Sequence, residues 1–184
     1  MKNRSLINFM VVIAMVYACS KPNSSFTINP QNIGLLTDST QVKDLVHIYI
    51  HDSIVNYVGG DEFTGAIDDI DIYATTGEHL LTLSPEEALD STSLIKTIAI
   101  KDERFITAKG INMNSTFGDI QSSYKISNIQ NTIKNVLITV NEINAFFIID
   151  KDQLPANLRY DMSLKIEAVQ IPENAKIKSF NLYW

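Results

Sequence analysis

The strongest constraint on the fold is an order of segments that is written twice. Gly34-Leu35-Leu36-Thr37-Asp38-Ser39-Thr40 leads into a stretch with Val42, Leu45, Val46 and Tyr49 at helical spacing. Gly110-Ile111-Asn112-Met113-Asn114-Ser115-Thr116 leads into another, with Phe117, Ile120 and Tyr124 on one face. In both, Asp or Asn followed by Ser-Thr reads as a helix cap, because these side-chain oxygens accept the free amide hydrogens of a first turn. Matching hairpins follow. Asp69 to Thr75 and His79 to Leu83 flank Thr76-Gly77, while Asn135 to Val140 and Ala145 to Asp150 flank Asn141 to Asn144. Each half then has a short capped turn, Ser84 to Ala88 and Asp152 to Pro155, the first with proline at its first helical position. Two strands close each half: Leu94 to Ile100 and Phe105 to Ala108, then Lys165 to Ile171 and Lys176 to Trp184.

The halves, 34–109 and 110–184, are each near the lower size limit for independent folding, so one shared core is expected. Phe146-Phe147-Ile148-Ile149 is apolar on both strand faces, the pattern of a central strand covered on both sides. The predicted fold class is α+β: two tandem strand–helix–antiparallel-sheet repeats forming one sheet, with helices packed on one face. A single domain over 33–184 holds both. This arrangement resembles β-lactamase-inhibitor-like and outer-membrane-assembly lipoprotein folds, a likeness of architecture that does not fix function.

Ahead of the domain, Lys2 and Arg4 precede an almost wholly apolar run from Phe9 to Ala18. That layout is a secretory signal peptide over 1–18, too short to span a bilayer as a stable helix. The tetrad Val16-Tyr17-Ala18-Cys19 resembles a bacterial lipobox, which implies cleavage after Ala18 and acylation of Cys19, with a thioether-linked diacylglycerol and chains such as palmitate. Cys19 is the one cysteine in 184 residues, so it has no disulfide partner. Residues 19–32 read as a lipidated tether, since Ser20 to Asn32 is rich in Ser, Asn and Pro with little apolar content. Fully extended, it would reach at most roughly 43 Å. The net charge of −6 becomes more negative once Lys2 and Arg4 are removed. Such a field repels polyphosphate, so no nucleic-acid partner is expected. The membrane partner is reached through acyl chains instead, two of which suffice for stable anchoring. The lipobox resemblance implies a cell-envelope lipoprotein of Bacteroidetes type, anchored in the outer membrane. Ser20-Lys21-Pro22 lacks the acidic run that accompanies surface export in some such proteins, which favours a periplasm-facing position.

Four motifs suggest chemistry, and each has a plainer reading. Gly59-Gly60-Asp61-Glu62-Phe63 spells the diguanylate cyclase signature. In that family an apolar strand follows at once, whereas Thr64-Gly65-Ala66-Ile67-Asp68-Asp69 follows here, and too little chain precedes it to build the nucleotide site. It is read as a polar loop. His47 and His51 have the spacing that puts two imidazoles on one helix face, yet no HExxH pattern or third ligand accompanies them. Asp61, Glu62, Asp68, Asp69 and Asp71 concentrate acid, but Asp68-Asp69-Ile70-Asp71 alternates into a strand and does not form a calcium loop. His51-Asp52-Ser53 contains triad residue types without a GxSxG elbow. No catalytic residue, metal or cofactor is therefore assigned.

Asp52-Ser53-Ile54, Asp90-Ser91-Thr92 and Asp38-Ser39-Thr40 resemble the short O-glycosylation sequon of exported Bacteroidetes proteins. Ser39 is better explained as a cap, leaving Ser91 and Ser53 as candidates. Thr107 to Tyr124 and the ending Ile171 to Trp184 resemble envelope-stress-induced lipoproteins without assigned activity, a family that implies no catalytic residues here. The leading reading is a membrane-tethered, non-enzymatic binding or adaptor lipoprotein with an envelope protein as candidate partner. A protein inhibitor or sequestering module using the sheet's open face is one alternative, and a carboxylate- or metal-dependent envelope enzyme is another. Acidic residues gathered in a pocket with raised carboxyl pKa values would favour the enzyme. Metabolic labelling with an alkyne fatty acid should mark the wild-type chain and leave Cys19→Ala unlabelled; equal labelling of both would remove the anchor.

Overall fold

The computed structural model describes residues 24–56 and 69–184, so Cys19 and the Gly59 to Phe63 motif lie outside the described residues. The described chain begins with a 3-10 turn, Ser24–Phe26, and a small sheet that contains β1 (Thr27–Asn29), β2 (Asn32–Ile33) and β3 (Leu36–Thr37). A 3-10 turn, Val42–Asp44, runs into α1 (Leu45–Ile48). Strands β4 (Ser53–Asn56), β5 (Ile70–Tyr73), β6 (His79–Pro85) and β7 (Ile95–Ile100) follow. After β8 (Ile106–Thr107) come α2 (Phe117–Ser123), β9 (Asn128–Asn131), β10 (Asn135–Val140), β11 (Ala145–Asp150) and β12 (Ser179–Tyr183).

Alternation of apolar and polar residues builds the larger sheet. Its eight strands run in the order β4-β5-β6-β7-β12-β11-β10-β9, every neighbour antiparallel. The two runs of four strands meet in the middle, where Ile100 opposes Phe180 and Ile98 opposes Leu182. One face carries Ile70, Ile72, Leu81, Leu83, Ile98, Ile100, Val136, Ile138, Phe147, Ile149, Phe180 and Leu182, all buried. Over this face pack Leu45 and Tyr49 of the first helical segment, Phe117, Ile120 and Tyr124 of the second, and Ile28, Ile33 and Leu36 of the small sheet, in one core. The mixed α+β class holds.

The bonds around the two helices recur. Asp44 Oδ2 accepts from Gln41 N at 3.1 Å, and Asp119 Oδ2 accepts from Thr116 N at 2.8 Å. Thr40 Oγ1 accepts from Thr37 N, and Ser115 Oγ from Asn112 N. Val42 N donates to Ser93 O and Phe117 N to Ala175 O, tying each helix start to the approach of β7 or β12. Tyr49 N donates to Leu45 O, and Tyr124 N to Ile120 O. Ser39 and Ser115 were the expected caps; the helices instead start at Gln41 and Thr116. Thr40 and Ser115 close the preceding turn.

Several expectations are corrected. The stretch expected as a tether to Asn32 is partly folded, because Ile28 and Ile33 are buried and β1 pairs in parallel with β8. Gly34 turns β2 into β3 with φ +54, and a Cβ there would meet Ser25 O at 2.5 Å. Phe105 to Ala108 joins this small sheet and not the large one. Ser84 and Pro85 extend β6 through a register shift rather than starting a helical turn. Lys165 to Ile171 contains a 3-10 turn, Ala168–Gln170, and no strand. Val46 is 59% exposed, so it leaves the buried stripe of the first helix. Strand β11 is buried on one face only: Phe147 and Ile149 lie inside, while Phe146 and Ile148 are half-buried.

The face assignment is open to a mutational check. Phe147 and Phe180 are fully buried with ring centroids 4.4 Å apart. Phe147→Ala should lower unfolding stability by about 3–5 kcal/mol. Phe146→Ala, on the other face, should cost about 1 kcal/mol or less. Urea denaturation followed by circular dichroism reads both, and equal losses would contradict the one-sided core.

Candidate binding surface

The strand residues that alternate with the core form the opposite face. Among the described residues Asn181 is the one buried side chain on it; the rest are half-buried or exposed. Cross-strand register places Val55, Asp71, Thr82, Ala99, Asn181, Phe146, Thr139 and Asn128 in one row, with one residue from each strand. At the usual strand spacing this row spans about 34 Å.

The two ends of the row differ in chemistry. On the β5–β6 side, a register shift between Ile72 and Tyr73 sets Tyr73 opposite His79, and their rings stack with centroids 4.5 Å apart. Thr82 Oγ1 donates to Asp71 Oδ1 at 2.7 Å, and His79 Nε2 lies 3.1 Å from the same oxygen and 3.2 Å from Thr82 Oγ1. Partial burial, then the Asp71 charge, pushes the Tyr73 phenol above its ordinary range. Asp69 accepts from Ser84 at 2.5 Å on the same face. On the β11–β12 side, Phe146 and Tyr183 rings sit 6.4 Å apart, with Ile148 and Leu137 beside them. One end offers a carboxylate, an imidazole and hydroxyls; the other offers aromatic and aliphatic surface.

His79, Asp71 and Thr82 were not singled out from the sequence as a group. Their arrangement is not a nucleophile relay. In such a relay the imidazole stands between hydroxyl and carboxylate, using a different nitrogen for each. Here one nitrogen faces both, and the hydroxyl donates directly to the carboxylate.

The residues weighed from sequence end up apart. His47 and His51 are both exposed, and α1 stops at Ile48, so His51 sits in the following turn and not on a shared helix face. Among the described residues no three His, Cys, Asp or Glu side chains form a metal-holding group. Asp61, Glu62 and Asp68 lie outside the described residues, while Asp69 and Asp71 bond across to β6. Ser91 is exposed in a turn where Asp90 Oδ1 accepts from Thr92 N and Oγ1, both at 2.7 Å; Ser53 is exposed on edge strand β4. Where carboxylates are displaced from their ordinary range, at Glu78, Asp90, Asp102, Glu142, Asp150 and Asp161, neighbouring hydrogen-bond donors hold each of them low. That is the opposite of what a general acid needs.

A second feature is the cleft where the described chain begins. It has a volume of about 330 Å³ and is lined by Phe26, Tyr49, Leu80, Arg104 and Phe105, among others. Phe26 meets Phe105 edge to face at 5.0 Å, and the Arg104 guanidinium lies 4.6 Å over the Phe26 ring. Asp102 holds that guanidinium through two 2.8 Å bonds. Burial, then the charge of Asp52, pushes the Tyr49 phenol up.

No family model matches the chain, and no curated protein matches it. Among solved structures, it is similar to the crystal structure of the uncharacterized protein yfeY from Escherichia coli. The two share 13% identity over 86% of this chain and 99% of that one, with a TM-score of 0.56. At that identity the likeness concerns the fold alone.

Arg104 bonds hold the Asp102 carboxyl below its ordinary range. Its contribution to stability is therefore present above the unfolded-state value of about 3.9 and lost as pH falls through the lower folded value. Asp102→Asn should cost about 1 kcal/mol at neutral pH, the scale of a well-formed surface pair. Urea midpoints of variant and wild type should converge in strong acid, and a gap that stays constant with pH would contradict this origin.

Proposed function

We propose that the chain is a lipid-anchored, non-enzymatic binding or adaptor module of the cell envelope, working through the open face of its eight-stranded sheet. The observation that carries the reading is the continuous row of side chains from Val55 to Asn128 across all eight strands, with the Asp71, Thr82 and His79 group over β5–β6 and Phe146 with Tyr183 over β11–β12. A surface of that extent suits a protein partner; interfaces of standard size draw on about 800 Å² per side. Aromatic residues such as Phe146 and Tyr183 are the usual anchors of such contacts, and Asp71 with His79 supplies directional bonds. Lipidation at Cys19 would hold the module at the outer membrane. O-glycosylation at Ser53 would fall on the edge strand of the face, and at Ser91 on an exposed turn bonded to the first helical segment.

The domain is further read as two copies of one unit, 34–109 and 110–184. Support comes from the recurring bonds at Gln41 and Thr116, and from two four-strand runs that mirror each other about the β7–β12 pair. In this reading the open face is a joint product of both copies, each contributing one of its chemical ends.

Site-specific photocrosslinking in cells tests the surface. A photoreactive residue at Phe146 should give a discrete adduct that Tyr183→Lys abolishes, while one at His47 on the helix layer should give none. Adducts of equal yield from both positions, or none from Phe146, would overturn the reading.

A further inference from the structure

The two ends of the large sheet are unequal. At one end lie Asp52 before β4, Ala74 to Glu78 between β5 and β6, Lys101 to Arg104 after β7, and Thr132 to Lys134 between β9 and β10. The described chain begins at this same end, since Ser25 and Phe26 line one cleft with Asp52, Ala74 and Arg104. Large apolar side chains stand exposed here. Beside the chain start are Leu35 and Ile50, 51% and 67% exposed; at the far corner are Ile133, Tyr160 and Met162, at 72%, 86% and 54%. The segment bearing Tyr160 and Met162 is fastened to this end by the Asn131 side-chain amide at the tail of β9. That amide donates to Asp161 O at 3.0 Å and Leu164 O at 2.9 Å.

Leu89 at the opposite end and Val169 are just as exposed, at 77% and 90%, so exposure alone does not select this end; the start of the described chain does, because the proposed anchor leaves the domain there. We infer that this end rests on the lipid bilayer, with Ile133, Tyr160 and Met162 entering the boundary between headgroups and acyl chains. The inference builds on the anchor proposed at Cys19. Cys19 precedes Ser24 by so few residues that the link reaches at most about 18 Å, which confines the chain's starting end to the neighbourhood of the headgroups. The chemistry suits lipid: a tyrosine has an apolar ring and a polar tip, and the stems of neighbouring Lys134 and Arg159 can lie along apolar surface with their charges in water. Because the chain carries a net charge of −6, attraction to anionic headgroups does not supply the contact, which is apolar and favours a neutral lipid surface. The strands then run away from the membrane, and the open face stands upright on it.

The single tryptophan, Trp184, lies at the opposite end of the sheet, its backbone N–H donating to Lys96 O, and so serves as an internal distance control. Residues 19–184 would be coupled through the Cys19 thiol to a maleimide phospholipid in phosphatidylcholine vesicles that contain brominated lipid. Coupling is chemical, so the outcome does not depend on acylation in the cell, and the labelling of Cys19 tests that reading separately. With Tyr160→Trp in a Trp184→Phe background, most of the indole emission should be lost to bromine quenching. In the unsubstituted chain, Trp184 emission should be nearly unchanged. Adding Ile133→Asp and Met162→Asp should restore the emission of the Tyr160→Trp chain. Tyr160→Trp with Trp184 retained, read by difference, covers a background that fails to fold. Equal quenching at the two positions, or none at position 160, would overturn the inference.

Discussion

Ile100 faces Phe180 and Ile98 faces Leu182 across the antiparallel pair β7–β12, and this seam sets the relation between everything before residue 101 and everything after residue 178. Side chains alternate along a strand, so pairing one residue out of register would turn one half's apolar set to water. In the observed register, Leu81 and Leu83 on one side and Phe147 and Ile149 on the other all face the same layer of helices and small strands. The same alignment makes the opposite faces continuous, from Val55 to Asn128. Core and candidate surface are thus two results of one ladder.

Much of this was legible in the sequence wherever the signal is local. The stripe Phe117, Ile120 and Tyr124 and the hairpin about Gly77 follow from spacing and turn chemistry within a dozen residues, and both are present. The second cap was legible in kind, Thr116 standing one residue past the expected Ser115, while the first helical segment starts at Gln41 and not at Ser39. Ser, Thr, Asp and Asn crowd the stretch before each helix, and any of them could accept the first amides. The small sheet was not legible. Strands of two or three residues have no measurable period, and β1 pairs with β8, distant in sequence. Pro85 was ambiguous, being suited both to a first helical position and to a strand end where a ladder N–H is not needed. The polar group on the open face escaped for a related reason: it depends on a one-residue shift between β5 and β6 that brings His79 opposite Tyr73.

The folded start of the described chain bears on how the proposed anchor would hold the molecule. A long, free linker would leave the domain to tumble at a distance from its anchor. Burial of Ile28 and the stacking of Phe26 under Arg104 instead draw the starting segment against the body. With the proposed anchor at Cys19, only a few residues separate it in sequence from Ser24, so orientation would be a property of the domain itself, set by the end at which the described chain begins.

The position of β12 has a consequence in time as well as in space. Residues 179–183 follow every other described strand in sequence and form one of the two innermost strands of the large sheet. Until they arrive, β7 has an unpaired edge and β11 has no neighbour on that side, so neither run of four strands can be sealed. The large sheet closes only once β12 is in place. The same placement makes damage at the tail severe: losing those residues would split the sheet down its middle, where losing β9 would only trim its edge.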